Sequence, residues 1–379
     1  MAQVLRVGLI GLGYIGRIHA LAYQNIAYCF EEPAVRAELA ALLRSRLDTA
    51  AEAVQTAGFE VVTTDADAFF ASKPDVVDIC CPNDLHRGFA ERALRAGIPV
   101  YCEKPLAHTL SDARAMAALA ASTGIYTQVA YAQRYTPAIR QMKALLAAGE
   151  IGEVFHFRGR IFHSSYLDPN RPISWRLRRA TSGGGAFMDL GAHLVDLTRY
   201  LLGDVGTVRA LTRTCIRERP VTPGSPEKAC VDVDDWTLAM LELKSGAVGT
   251  IEATRMAAGV TDPTGFEIYG SRGSLIYRSA EPDAVQFHTL RRKQTLRGRL
   301  EVPDVAGERP MAILWPDSKY SLGPFVNHHM AAQYDLLLNL AQGGRSLIDF
   351  QAAAAAQEII EAAYLSAAGG GDRIALPLA

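Results

Sequence analysis

No apolar run in this chain approaches the roughly 18 residues that a helix needs to cross a bilayer. The start, MAQVLRVGLIGLGYIG, has no basic stretch ahead of its apolar run, and the run ends in glycines, so it does not read as a secretory signal. Excess charge is missing too: a formal net charge of −1 offers no general field for nucleic acid or an acidic membrane. The six cysteines (Cys29, Cys80, Cys81, Cys102, Cys215 and Cys230) form no CxxC pair and no zinc-ligand spacing. Internal repeats are absent. These absences lead us to expect a cytoplasmic protein with no nucleic-acid or membrane partner and no metal. Cys80, Cys81 and Cys102 sit in apolar, strand-like runs and read as buried small hydrophobes.

What is present is the make-up of a folded globular chain, 49% hydrophobic and 21% charged. Its 379 residues suit two domains. In the first third, Val4–Ile10, Leu39–Leu43, Val61–Thr63, Val76–Cys81 and Val100–Cys102 read as strands. Between them Ile15–Asn25, Asp48–Ala57, Leu85–Ala96 and Ser111–Ser122 read as helices. The alternation predicts βαβ units and a parallel sheet covered on both faces. Right-handed crossovers then give an α/β, doubly wound Rossmann domain over residues 1–132.

After a further helix, Pro137–Ala148, strand signals cluster at Val154–Phe162, Val208–Ile216, Trp236–Lys244, Val248–Arg255, Phe266–Gly270 and Ser274–Tyr277. Turns such as Lys244-Ser245-Gly246 and Gly270-Ser271-Arg272-Gly273 imply antiparallel pairing. One helix, Ala186–Leu202, interrupts. Residues 133–379 are therefore expected to form an α+β domain, a large open, mostly antiparallel sheet with helices on one face. Gln294–Pro310, with basic residues from Arg291 to Arg299, reads as a solvated hairpin or loop. Phe350–Ala368 is an Ala-rich helix that Gly369-Gly370-Gly371 ends, free to pack back on the first domain.

Gly11-Leu12-Gly13-Tyr14-Ile15-Gly16 matches GxGxxG between a strand and a helix. Gly11 permits the tight turn, Gly13 lets backbone approach a pyrophosphate, and Gly16 lets the helix pack on the strand. The helix start, with Tyr14 and Ile15, offers N–H groups and a positive dipole to phosphates. The second strand runs into Arg44-Ser45-Arg46, where an NAD site shows an acid for the ribose 2′-OH. Two arginines suit a 2′-phosphate, so between NAD and NADP the tilt is toward NADP; in the other reading Arg44 stacks on adenine or faces solvent. Tyr28–Arg36 reads as an insertion before that strand.

Three further motifs follow: Cys81-Pro82-Asn83-Asp84-Leu85-His86, Glu103-Lys104-Pro105, and Gly183-Gly184-Gly185-Ala186-Phe187-Met188-Asp189-Leu190-Gly191-Ala192-His193. With the N-terminal glycines, in this order, they resemble the Gfo/Idh/MocA oxidoreductase family over nearly the whole chain. Val231-Asp232-Val233-Asp234-Asp235 and Gly246-Ala247-Val248-Gly249 look like that family's second-domain sheet. His163–Arg176 and Leu314-Trp315-Pro316 are most similar to its levoglucosan dehydrogenase-like branch, from which His163 departs where those enzymes carry Gln.

The resemblance implies an NAD(P)-dependent dehydrogenase acting on a sugar or cyclic polyol. Lys104 would be the acid/base, Pro105 a cis proline, and Glu103 a contact to the cofactor or an orienter of the lysine. Pro82, Asn83, His86 and Arg134 join the glycines as cofactor residues. Asp189 and His193, four apart on one helix face, would serve catalysis and hold substrate, or form a plain surface pair. The triple glycine would let backbone pass close to ligand. Tyr131, His163, Asp168, Trp175 and Arg176 would contact the sugar. Arg160, Arg171, Arg178 and Arg179 are either solvated or signs of an anionic sugar. His328 and His329 read as residues just before a helix, where either reaches the cleft or serves a capping or surface role. Two alternatives use the same parts: an NAD-dependent glycoside hydrolase working by transient C3 oxidation and elimination, and a non-catalytic dinucleotide sensor. The open sheet implies a homodimer or homotetramer.

Overall fold

The computed structural model describes residues 2–31, 33–46 and 58–378. The helix expected at Asp48–Ala57 lies outside the described residues. By its internal contacts the chain divides into two compact units. The first comprises Met1–Ala107, Ser111–Tyr135 and Gly307–Ala354, and the second His108–Leu110, Thr136–Ala306 and Ala355–Ala379. Residues 307–354, grouped from sequence with the second domain, thus cluster with the first. Among the described residues no helix is long and apolar enough to cross a membrane.

In the first unit, β1 (Gln3–Ile10), β2 (Val35–Leu43), β3 (Val61–Thr63), β4 (Val76–Ile79), β5 (Val100–Cys102) and β6 (Thr127–Val129) form one sheet in the order β3-β2-β1-β4-β5-β6. Every pairing is parallel, as expected of strands whose residues are apolar on both faces. The order reverses between β1 and β4, and ligands of such sheets bind beyond the carboxyl ends of the strands at that point. The supposed insertion at Tyr28–Arg36 is corrected. The first helix runs on to Cys29 because Ile26 and Cys29 continue its buried face, and β2 already begins at Val35, itself fully buried. β6 gave no signal in the sequence because two of its three residues, Thr127 and Gln128, are polar and leave no apolar run. His328 and His329 do not precede a helix; they lie inside Pro324–Gln342, and His329 is buried.

The second unit is built on a nine-stranded sheet. Along it run β16 (Gln294–Gly298), β15 (Val285–Thr289), β14 (Gly273–Arg278), β13 (Thr264–Gly270), β7 (Val154–Phe162), β12 (Val248–Thr254), β11 (Trp236–Leu243), β8 (Val205–Arg213) and β17 (Ile374–Ala375). All neighbours are antiparallel except β7 and β12, which run parallel. The sheet is therefore the mostly antiparallel one expected. The segment read as a hairpin or loop supplies an edge strand, β16. The strand sought at Val208–Ile216 is displaced to Val205–Arg213, and a separate ribbon pairs β9 (Glu218–Pro220) with β10 (Lys228–Cys230).

The helix expected over Ala186–Leu202 is two pieces, a π-helical stretch Phe187–Gly191 and an α-helix Ala192–Leu202. Its start is held by one buried carboxylate. Asp234 Oδ1 accepts the Gly185 N–H and the Tyr364 hydroxyl, each at 2.8 Å. Oδ2 accepts the Phe187 N–H at 2.9 Å and the Thr237 hydroxyl at 2.7 Å. The Tyr364 oxygen in turn accepts the N–H groups of Gly185 and Met188. These bonds supply partners that a helix start otherwise lacks. Replacing Tyr364 by Phe strands a buried N–H and should destabilise the protein by about 1–3 kcal/mol. Chemical denaturation measures this, and an unchanged midpoint would show that the helix start does not depend on the hydroxyl.

Candidate active site

The first unit supplies a dinucleotide-shaped turn. Gly11 sits at φ +93°, and a Cβ there would come within 2.9 Å of the Cys80 carbonyl oxygen. Its N–H donates to the Leu43 carbonyl at 2.9 Å, which sets the end of β2 and the following Arg44-Ser45-Arg46 beside the glycine turn. A Cβ on Gly16 would strike the Gly11 carbonyl at 2.1 Å, so the helix lies directly on the turn. Gly13 is different: a Cβ there meets nothing within 4 Å. It caps the helix Tyr14–Cys29 with no side-chain bond, and no acidic residue occupies the first turn. Open space over leading N–H groups fits a pyrophosphate.

Around the neighbouring strand ends, Pro82 is half-buried and Asn83 buried. His86 is fully buried, with Nδ1 3.1 and 3.2 Å from the carbonyls of Pro105 and Leu106 and Nε2 3.0 Å from that of Cys81. Burial is the largest influence and keeps its pKa below the usual histidine value. The ring thus braces two strand ends internally rather than facing open space. Arg134 is likewise buried, donating to the Leu347 carbonyl at 2.9 Å, and Tyr131 is buried too. Cys80 and Cys102 are buried as expected, whereas Cys81 is half-buried. The Lys104–Pro105 peptide is cis. Glu103 is buried, and its Oε2 accepts the Lys104 N–H at 3.2 Å. From Val100 to Ala107 every residue is buried except Lys104.

The second unit repeats that pattern. From Gly184 to Thr198 every residue is buried except Asp189 and His193. The i→i+5 turn of a π-helix is wider than an α turn, yet these two still emerge where their neighbours do not. The triple glycine serves packing rather than ligand approach, a correction. A Cβ on Gly183 would meet the His108 carbonyl oxygen at 1.9 Å, and one on Gly185 the Asp234 carbonyl oxygen at 1.9 Å. His163 and Asp168 are exposed, Trp175 and Arg176 half-buried. The Arg176 guanidinium lies 4.3 Å over the Trp175 ring. Arg171 stacks on Tyr166 and Arg160 pairs with Asp262.

Arg255 went unnoticed in the sequence. It is 1% exposed, and its Nη2 donates to Asp189 Oδ2 at 3.0 Å. Burial opposes its charge, but the attraction of Asp189, with Tyr166 and Asp234 behind it, outweighs that and raises the guanidinium pKa. The guanidinium also lies 4.8 Å over the Tyr166 ring. Arg219, fully buried, donates to the carbonyls of Tyr166 and Asp168 at 2.6 and 2.7 Å, tying down the loop that carries Asp168. For Arg255 the one available signal was its place at the end of the strand-like stretch Val248–Arg255. Asp234 stood in the motif Val231-Asp232-Val233-Asp234-Asp235 without its role being legible, and nothing local marks Tyr364.

Residues 5–131 match the model of an oxidoreductase family with an NAD-binding Rossmann fold, and residues 139–276 match the GFO/IDH/MocA C-terminal domain. A levoglucosan dehydrogenase of Pseudarthrobacter phenanthrenivorans is 34% identical over 355 residues, 90% of each chain. An inositol 2-dehydrogenase of Rhizobium meliloti is 30% identical over 290 residues, 76% of this chain and 79% of that one. Among solved structures, a levoglucosan dehydrogenase in complex with NADH superposes with a TM-score of 0.89 at 32% identity, over 100% of both chains. The chain therefore belongs to the Gfo/Idh/MocA family of oxidoreductases, and its first unit is the family's NAD-binding Rossmann fold.

Proposed function

We propose that this protein is an NAD(P)-dependent dehydrogenase that oxidises a hydroxyl-bearing carbon of a sugar or cyclic polyol, or reduces the corresponding carbonyl. The observation that carries the reading is the selective exposure of Lys104, Asp189 and His193 within otherwise buried stretches. Burying polar groups is costly unless they are paired, and within these two stretches these three alone stay within reach of a ligand. The levoglucosan and inositol dehydrogenases among its relatives support the substrate class. Nicotinamide, when bound, supplies the hydride chemistry. Lys104 Nζ and His193 take and return the hydroxyl proton, and Asp189, paired with Arg255, accepts a hydrogen bond from the sugar. Trp175, Arg176, His163 and Asp168 line the sugar. Gly11, Gly13, Tyr14, Ile15, Gly16, Pro82 and Asn83 hold the dinucleotide.

Arg44-Ser45-Arg46, with no acid at the end of β2 and beside the glycine turn, supports NADP as the preferred form. The exposed sheet face supports a symmetric homo-oligomer. Phe155, Leu211, Met240 and Val248, 49–55% exposed, lie on four adjacent strands among Arg158, Arg209, Glu242 and Glu267. Apolar surface mixed with both charge signs matches a second copy of itself.

Absorbance at the reduced-nicotinamide band, with NAD or NADP and a panel of neutral and anionic sugars, should grow with at least one sugar. Free sugar released from a glycoside without net reduction would instead mean hydrolysis. Lys104→Ala should lower kcat by roughly 10²–10⁴-fold; unchanged turnover refutes its role. Arg44→Ala should weaken NADP more than NAD, and equal losses would remove the NADP preference. Light scattering should give a mass above the 41.0 kDa of one chain, falling toward it in Met240→Lys; a monomeric wild type rules out the oligomer.

A further inference from the structure

Inside the first unit lies a buried set of titratable groups that the proposed chemistry does not use. His19 and Tyr23 come from the helix Tyr14–Cys29, and Asp78 from β4. Cys80 follows β4, Tyr101 lies on β5, Glu103 follows it, and His329 comes from the helix Pro324–Gln342. None is more than 7% exposed. His19 Nδ1 lies 2.9 and 3.1 Å from the two oxygens of Asp78. Cys80 Sγ sits 3.2 Å from that nitrogen and from Asp78 Oδ1. On the other side of the ring, His19 Nε2 is 3.2 Å from Glu103 Oε1, an ion-pair contact that falls outside hydrogen-bond alignment. The His19 ring packs 5.5 Å from Tyr101 and 5.1 Å from His329.

A neutral imidazole donates through one nitrogen only, whereas carboxylates on both nitrogens call for two N–H groups. We infer that His19, by bridging Asp78 and Glu103, is a positioning residue for the Glu103-Lys104-Pro105 turn. The inference rests on the dehydrogenase reading, in which Lys104 moves the proton. Burial works against the charged ring, but the attraction and hydrogen bond of Asp78, joined by those of Glu103, outweigh it and hold the imidazole's pKa up at about 10. Glu103 then has one oxygen on a cation and the other on the Lys104 N–H. Without the cation, Asp78 keeps the Cys80 thiol and Glu103 the Lys104 N–H, but both buried carboxylates lose the counter-charge between them and one is driven to turn away. That movement loosens the backbone from which Lys104 projects, and small misplacements of a reacting group are expensive in rate.

Two neutral substitutions separate this from a merely structural role. His19→Asn keeps a donor near where Nδ1 faced Asp78, and His19→Gln keeps one near where Nε2 faced Glu103. With the holoenzyme and its sugar, His19→Asn should lose kcat on the order of 100-fold with KM for the sugar little changed. His19→Gln should recover to within about tenfold of wild type. Equal losses in both variants, no loss, or a loss confined to KM would overturn the inference. So would a stoichiometric divalent metal in the purified protein that His19→Asn abolishes. A second readout does not depend on activity. Imidazole ¹⁵N spectra should show His19 protonated on both nitrogens between about pH 7 and 9, where an ordinary histidine is neutral. A neutral ring there overturns the bridge. If the wild type reduces no cofactor with any sugar, the dehydrogenase reading fails, while the spectrum still decides the bridge.

Discussion

A charge withdrawn from water must find its opposite or a full set of hydrogen-bond partners, and both units of this protein are organised by that constraint. In the second unit the carboxylate of Asp234 gathers two backbone N–H groups and two hydroxyls, and the helix carrying Asp189 and His193 starts from that point. Arg255, equally buried, finds its opposite in Asp189. In the first unit Asp78 and Glu103 share His19. Of the reactive side chains proposed here, Asp189 is backed by the buried Arg255, and Lys104 by the buried Glu103 that accepts its N–H.

That arrangement separates the two tasks of an enzyme site. The groups that meet substrate must stay accessible and chemically poised, and the groups behind them must not move. Glycine shows the same division. Gly13 leaves space for a ligand, whereas Gly183 and Gly185 leave space only for the protein's own carbonyl oxygens. A glycine-rich stretch therefore signals close approach without saying what approaches.

Much of this was legible in the sequence, for identifiable reasons. The Rossmann order follows from apolar runs alternating with helices, and Gly11, Gly13 and Gly16 from a motif whose spacing is a backbone requirement. Lys104, Asp189 and His193 stood in short motifs with a family's spacing. The supporting groups were not legible, because their partners are remote in sequence. His19 and Asp78 are 59 residues apart, Gly185 and Asp234 49, and Asp189 and Arg255 66. Period-based reading also misplaces what deviates from regular geometry. The π-helical Phe187–Gly191 passed as part of one α-helix, and β17, two residues long, left no pattern.

The parallel pairing of β7 with β12 has a further meaning. Two parallel neighbours oblige the chain to leave the sheet at one end and travel back to the other before it can rejoin. Here that journey, residues 163–247, first leaves the sheet after β7, then lays down β8 and β11 in the same sheet before β12, and carries Asp168, Trp175, Arg176, Asp189, His193 and Asp234. Both strands then deliver their next residues at the same end, where the His163 N–H meets the Thr254 carbonyl at 2.8 Å and Arg255 follows at once. The part that leaves the sheet is residues 163–204, between β7 and β8, and it carries Asp168, Trp175, Arg176, Asp189 and His193 on a frame of strands. The length and side chains of that stretch can drift during evolution while the strands on either side of it keep their register, so a change of sugar need not be a change of fold.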